Sequence, residues 1–187
     1  ADAALGAFGG IDALVNNAAM YATLNRDNFW DLDPDEWDKV MAVNVKGAWL
    51  ASAACYQRMN EGGSIINICS VSGRRPTPGT AAYGAAKAGL ENLTATLAVE
   101  WAPRVRVNTV VVGMVETEQS ELFYGDAESV AKVGATVPLG RLAKPADVGW
   151  AAAYLASDLA AYVSGASLEV HGGGEPPSYL EASSANK

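Results

Sequence analysis

Ser64–Glu100 reads SIINICSVSGRRPTPGTAAYGAAKAGLENLTATLAVE, and this stretch decides the fold. The apolar run Ser64 to Ser70 predicts a strand, and its centre, Ile65-Ile66-Asn67-Ile68, is apolar enough for burial on both faces. A loop rich in Arg, Pro and Gly, Gly73 to Gly79, comes next. An Ala-rich helix from about Ala81 to Trp101 follows, and Pro103 stops it. Tyr83 and Lys87 stand four residues apart near the start of that helix, so they share a face. An ammonium beside a phenol favours the phenolate. A Ser70 hydroxyl delivered from the strand end is placed to meet that phenol over a substrate oxygen. Taken alone, a Tyr and a Lys at this spacing are more often a solvated pair, so the surroundings must carry the assignment.

Outward from this stretch, strands and helices alternate. Residues 1–9 read as the end of an amphipathic helix closed by Gly9-Gly10. Ile11 to Val15 is a short apolar run for a buried parallel strand. Asn16-Asn17-Ala18-Ala19 lies at its carboxyl end, where open α/β sheets bind ligands. Small Ala residues admit a planar ligand there, and Asn offers both donor and acceptor. Tyr21 to Leu32 is irregular. Asp33-Pro34-Asp35-Glu36 starts a helix expected to run to about Met59, with Asn44 inside it. A helix-interior Asn competes with the backbone, and a surface position is its ordinary explanation. Glu61-Gly62-Gly63 is expected as the turn into the Ser64 strand. Val105 to Val111 is another strand with a Gly113–Thr117 loop at its end. Residues 118–138 read as a lid or short packed helix. Pro145 opens the last helix, and Ser167 to Val170 forms a final strand. Four good strands alternating with helices imply βαβ units, a parallel sheet and a three-layer α/β/α, Rossmann-like domain over residues 1–174, with residues 175–187 as a polar tail.

Bulk properties narrow the function. The chain has 187 residues, half of them hydrophobic and 18% charged, which suits one globular domain. A net charge of −8 argues against nucleic acid or anionic membrane as partner. No apolar run is long enough to span a bilayer, and no secretory leader pattern opens the chain. Cys55 and Cys69 sit in apolar contexts as buried thiols, consistent with a reducing, cytoplasmic location. The chain starts without Met, in what reads as a helix tail, and the expectation is an N-terminally incomplete piece of a longer protein.

The ordered set Asn17-Ala18-Ala19, helical Asn44, Ser70, Tyr83-Gly-Ala-Ala-Lys87, Asn108…Gly113-Met-Val-Glu-Thr117 and Tyr162-Val-Ser-Gly165 resembles the short-chain dehydrogenases/reductases along essentially the whole chain. The resemblance implies an NAD(P)-dependent oxidoreductase interconverting a carbonyl and a secondary alcohol. Tyr83 is then the general acid/base, Lys87 lowers its pKa and holds the nicotinamide ribose, and Ser70 (rather than Ser72) holds the substrate oxygen. Asn44 kinks its helix and positions a water. Asn17, Ala18 and Ala19 lie along the adenosine half of the cofactor, and Gly113, Val115 and Thr117 by the nicotinamide. The cofactor is NAD or NADP, and no metal is implied. The family also implies a homo-oligomer, dimer or tetramer, packed through small residues such as Ala48, Ala51, Ala54, Ala85, Ala86 and Ala88.

Three substitutions depart from the family pattern: Val112 precedes Gly113 where Pro is usual, Ala19 stands for Gly, and His171 stands for Asp before Gly172-Gly173. His171 reads as a structural or interface residue. The largest departure is that the opening strand and its Gly-rich phosphate turn do not occur in the sequence. The alternatives are therefore a catalytically silent fragment or an oligomerisation module, and the Ile11 strand is expected to present an unpaired edge. Leu24, Phe29, Trp30, Leu122, Phe123 and Tyr124 are candidate walls for an apolar pocket suited to a lipid-like or alicyclic ketone, steroid-derived or 3-oxoacyl.

Overall fold

The computed structural model describes residues 1–21, 24 and 28–179; part of the Tyr21–Leu32 stretch and residues 180–187 of the expected tail lie outside the described residues. Four strands, β1 (Ile11–Asn16), β2 (Met59–Ser70), β3 (Val105–Val112) and β4 (Ser167–Val170), form one parallel sheet in the order β1-β2-β3-β4. The helices are α1 (Asp2–Phe8), α2 (Pro34–Met41), α3 (Ala48–Tyr56), α4 (Ala81–Glu100), α5 (Ser120–Tyr124), α6 (Ala127–Ala135) and α7 (Pro145–Ala156).

The helix boundaries follow local chemistry. Gly9 takes a left-handed φ of 75° and its N–H closes α1 on the Leu5 carbonyl. Asp33 caps α2 by accepting the Asp35 N–H at 2.9 Å, and Pro34 occupies the first turn. The expected helix to Met59 is shorter than its pattern. It opens into a π-helical segment at Ala42–Gly47 and ends at Tyr56. Met59 is almost fully buried and pairs with Ile11, so it already belongs to β2. The next pair is Ala13 with Ser64, which leaves Asn60 to Gly63 as a bulge inside the strand rather than a turn before it.

Successive β2 residues face opposite layers. Ile65 joins Ile11, Cys55, Met59, Leu97, Val105 and Val107 beneath α3 and α4. Ile66 joins Val110, Val112, Leu155 and Ala160 beneath α7. Burying such a side chain is worth about 1.5–3 kcal/mol, so both faces hold the strand in register. Asn67 tightens that choice. Its Oδ1 accepts from Asn16 Nδ2 at 2.8 Å, and its own Nδ2 donates to Thr94 Oγ1 at 2.8 Å, while Asn16 Nδ2 also reaches Ser52 Oγ at 2.9 Å. A one-residue slip carries Asn67 onto the apolar α7 side, where nothing replaces those partners.

Among the described residues β1 has a strand neighbour on one side alone, and its Val15 is 45% exposed. The expected open edge is present. At the other end of the chain, Glu175 pairs with Arg75, so the tail is tied down where it begins.

Candidate active site

The carboxyl ends of β1, β2 and β3 converge on a cavity of about 360 Å³ lined by Ser70, Tyr83 and Lys87 together with Asn17, Gly113 and Thr117. Ser70 ends β2, and its Oγ accepts the Ser72 N–H at 3.2 Å, which turns the chain into the short helical turn Val71–Gly73. That turn lies directly on α4. A Cβ on Gly73 would meet the Ala88 backbone nitrogen at 2.7 Å, and one on Gly84 would meet the Ser72 carbonyl oxygen at 2.9 Å. Only glycine at both places lets the Ser70 turn and the first turns of α4 approach this closely. The two sides of the site are thereby held against one another.

Ser70 and Tyr83 line the same cavity, and the Ser70 hydroxyl acts on the phenol to lower its pKa. Lys87 is 3% exposed; its Nζ lies 5.5 Å from the centre of the Tyr83 ring and donates to the Ile68 carbonyl at 2.8 Å. Burial lowers the Lys87 pKa, partly offset by Cys69. Tyr83 itself moves opposite to the sequence expectation. Burial pushes its phenol from 10.0 up to about 12, the Ser70 hydrogen bond opposes this, and the neighbouring Tyr21 and Cys69 add to it. Lys87 is not among the groups that set this balance. Its ammonium is spent on the Ile68 carbonyl, and desolvation of a buried phenolate outweighs an ammonium held 5.5 Å from the ring centre. The phenol is therefore held firmly as a proton donor. Cys69 is likewise pushed up, to about 11, by burial, and stays a thiol.

Asn44 corrects the surface reading. It is 1% exposed, inside the π-helical segment; its Oδ1 accepts the Met20 N–H at 2.8 Å and its Nδ2 donates to the Met20 carbonyl at 3.1 Å. This two-point clamp holds the loop that carries Asn17, Ala19 and Tyr21 into the cavity wall. The mid-helix Asn thus satisfies a buried loop backbone instead of its own helix. Asn44 does not line the cavity, and neither does Ala18, which is exposed beside it; Asn17, Ala19, Gly113, Val115 and Thr117 all do.

The apolar wall divides. Phe123 and Tyr124 line the cavity. Leu24 and Phe29 line a separate small cavity at the start of α4. Trp30 is 80% and Leu122 71% exposed. α5 is one short turn, so turning Phe123 inward sends its neighbour Leu122 to solvent. Sequence reasoning gave Tyr21 no firm place. Its ring lies 4.7 Å from that of Tyr83 and 5.1 Å from that of Phe123, joining the acid/base candidate to α5. Arg75 also lines the cavity and was not singled out; its position in the Ser70–Tyr83 loop was the available signal. His171 bonds Glu169 at 2.5 Å and abuts Gly113, whose Cβ would meet its own at 2.7 Å. That is the structural role expected of it.

Residues 1–175 match the family model described as enoyl-(acyl carrier protein) reductase. The chain is 39% identical over 179 residues to a 3beta-hydroxysteroid dehydrogenase 1 of Eggerthella lenta, covering 92% of this chain and 66% of that one. It is 41% identical over 170 residues to a 3-oxoacyl-[acyl-carrier-protein] reductase of Vibrio cholerae, covering 89% and 67%. A crystal structure of a blue fluorescent protein from a metagenomic library, in complex with NADPH, superposes with a TM-score of 0.81 at 31% identity, over 92% of this chain and 68% of the other. Sequence, sheet and site together place the chain in the short-chain dehydrogenase/reductase family. It spans 66% and 67% of the length of the two curated relatives named, and 30% to 60% of others.

Proposed function

We propose that the complete protein carrying this chain is an NAD(P)-dependent oxidoreductase that interconverts a ketone and a secondary alcohol. One observation carries the reading: Ser70 from the end of β2 and Tyr83 and Lys87 from α4 line one cavity, with Lys87 Nζ 5.5 Å from the centre of the phenol ring. A substrate carbonyl oxygen resting between the two hydroxyls accepts the Tyr83 proton as it becomes an alkoxide, and Ser70 holds it in line. In the oxidative direction Tyr83 takes the proton back. Lys87 lies 5.5 Å from the centre of the phenol ring, its Nζ fixed there by the Ile68 carbonyl.

The residues fit the nicotinamide half of NAD or NADP. Asn17 and Thr117 offer polar groups, while Ala19, Gly113 and Val115 leave the sheet end open to a flat ring. The bound dinucleotide supplies the hydride. The Gly-rich turn for its phosphates is not in this sequence. The relatives named for 3-hydroxysteroid and 3-oxoacyl chemistry, together with Tyr21, Phe123 and Tyr124 on the cavity wall, support an apolar ketone as substrate.

In the complete protein Tyr83→Phe is expected to lower kcat by about a hundred-fold to ten-thousand-fold, the range for losing a general acid, with little change in cofactor binding. Steady-state reduction of a ketone panel with NADH and NADPH measures it. An unchanged rate overturns the role of Tyr83.

A homo-oligomer is the second proposal. Along α4 the small residues Ala85, Ala88 and Gly89 are exposed, Val99 is 80% exposed, and Trp49 and Leu50 of α3 are about half exposed. Such a face suits a helical partner surface.

A further inference from the structure

Two arginines follow each other in the loop between Ser70 and α4, and the fold treats them differently. Arg74 is locked between two carboxylates: it pairs with Glu91 on α4 and with Glu169 on β4, and Glu91 also accepts from Ser167 Oγ. Glu169 in turn holds His171. Arg74 therefore belongs to a closed network that ties helix, loop and strand together. Among the described residues Arg75 has a single ionic partner, Glu175, at 2.5 Å, and that residue lies beyond the last strand.

Arg75 also stands on a boundary. On one side is the cavity of Ser70, Tyr83 and Lys87; on the other is a cavity of about 500 Å³ whose lining includes Glu175. The two share Val71, Arg75, Gly113 and Met114 as common wall. The charged side chains lining the catalytic cavity are Lys87 and Arg75, with no carboxylate among its described lining residues. In a chain of net charge −8 a cavity whose charged lining is basic favours anions locally, even with Glu175 meeting Arg75 from the neighbouring cavity. Lys87 is buried and committed to the Ile68 carbonyl. Arg75 keeps 44% of its side chain exposed, and Glu175 meets it from the neighbouring cavity.

We propose that Arg75 is a specificity-determining residue that grips a carboxylate on the substrate, exchanging Glu175 for it. The inference rests on the ketone/alcohol reading above and deepens it: the reacting carbonyl sits at Ser70 and Tyr83, the apolar body lies along Tyr21 and Phe123, and the acid end reaches Arg75. Glu175 already demonstrates the chemistry, because its carboxylate is seated on the same guanidinium. A planar two-oxygen anion matches that fork better than a neutral amide or ester does. Exchange conserves charge, since one carboxylate leaves the guanidinium as another arrives, so the second cation is never left uncompensated.

The test uses the complete protein and a series of keto acids of increasing length, each paired with its uncharged keto amide. Wild type is expected to prefer the acid over the amide by about ten-fold or more in kcat/KM at one length in the series. Arg75→Gln abolishes that acid-to-amide preference, Arg75→Lys retains part of it, and Glu175→Gln strengthens it. An acid-to-amide ratio that is the same in wild type and Arg75→Gln overturns the inference, as does a Glu175→Gln variant that weakens the acid. Amide turnover reports separately on the redox reading. Should neither ketone of any pair be reduced, that reading fails, and calorimetric binding of the keto acids decides the inference by itself. Binding lost in Arg75→Gln upholds it, and equal binding in both proteins overturns it.

Discussion

The protonation of Tyr83 is decided by neighbours that no spacing rule reveals. Tyr83 and Lys87 were visible as a one-turn pair, but the direction of the phenol's shift was not. Burial and the adjacent Tyr21 raise it to about 12, because a phenolate in that wall loses more hydration than Lys87, turned to the Ile68 carbonyl, returns. The folded-state value lies above the unfolded value of 10.0, so the contribution to stability is complete below pH 10 and is lost as pH rises towards 12. Difference ultraviolet titration of the protein against Tyr83→Phe, without cofactor, should show one phenol ionising near 12. A Tyr83 that ionises at or below 10 sinks this account. Asn44 carries the same lesson. Its place in a helix was legible, yet its partner, the Met20 backbone, comes from another part of the chain and only folding brings it near.

At the scale of elements, capping chemistry was readable and irregularities were not. Asp33-Pro34 marked α2 and Pro145 marked α7, because these signals act within one turn. Asp147 accepts the Lys144 N–H at 2.7 Å and Arg141 Nη1 at 2.7 Å, and the Arg141 hydrogen bond is the chief cause that lowers its pKa from 3.8 to about 2. A depressed carboxylate stabilises the fold above its unfolded pKa and loses that contribution as pH falls through its folded one. Asp147→Asn is therefore expected to melt lower than wild type at neutral pH, with the gap closing between pH 3.8 and about 2. Thermal unfolding across that range measures it, and a gap that persists at the acid end shows that the ionised form is not what matters. Asn44 and Gly62-Gly63 signalled an irregularity at each place, but not that it would be a π-helical segment or a bulge inside a strand. The bulge exists because Met59 is worth more buried against Ile11 than continuing α3.

For the molecule as a whole, two surfaces of the described residues stay exposed. β1 is an open edge, and the small-residue face of α4 with Trp49 and Leu50 offers a flat helical surface. Val99→Glu in the complete protein is expected to shift sedimentation towards the smaller species, since a carboxylate placed in an apolar contact is left without a partner. An unchanged profile places the contact elsewhere. The alternation of apolar runs and capped helices by itself determined the parallel three-layer fold, because burial on two faces and one-turn capping are local demands that any tertiary arrangement must meet. The order of motifs likewise picked out Ser70, Tyr83 and Lys87. Tertiary structure alone decided the rest: the clamp of Asn44 on Met20, the stack of Tyr21 on Tyr83, the inward turn of Phe123 over Leu122, and the split between Arg74 and Arg75. Each of these depends on the desolvation and partnering of groups distant in sequence, and those quantities exist only once the chain has closed on itself.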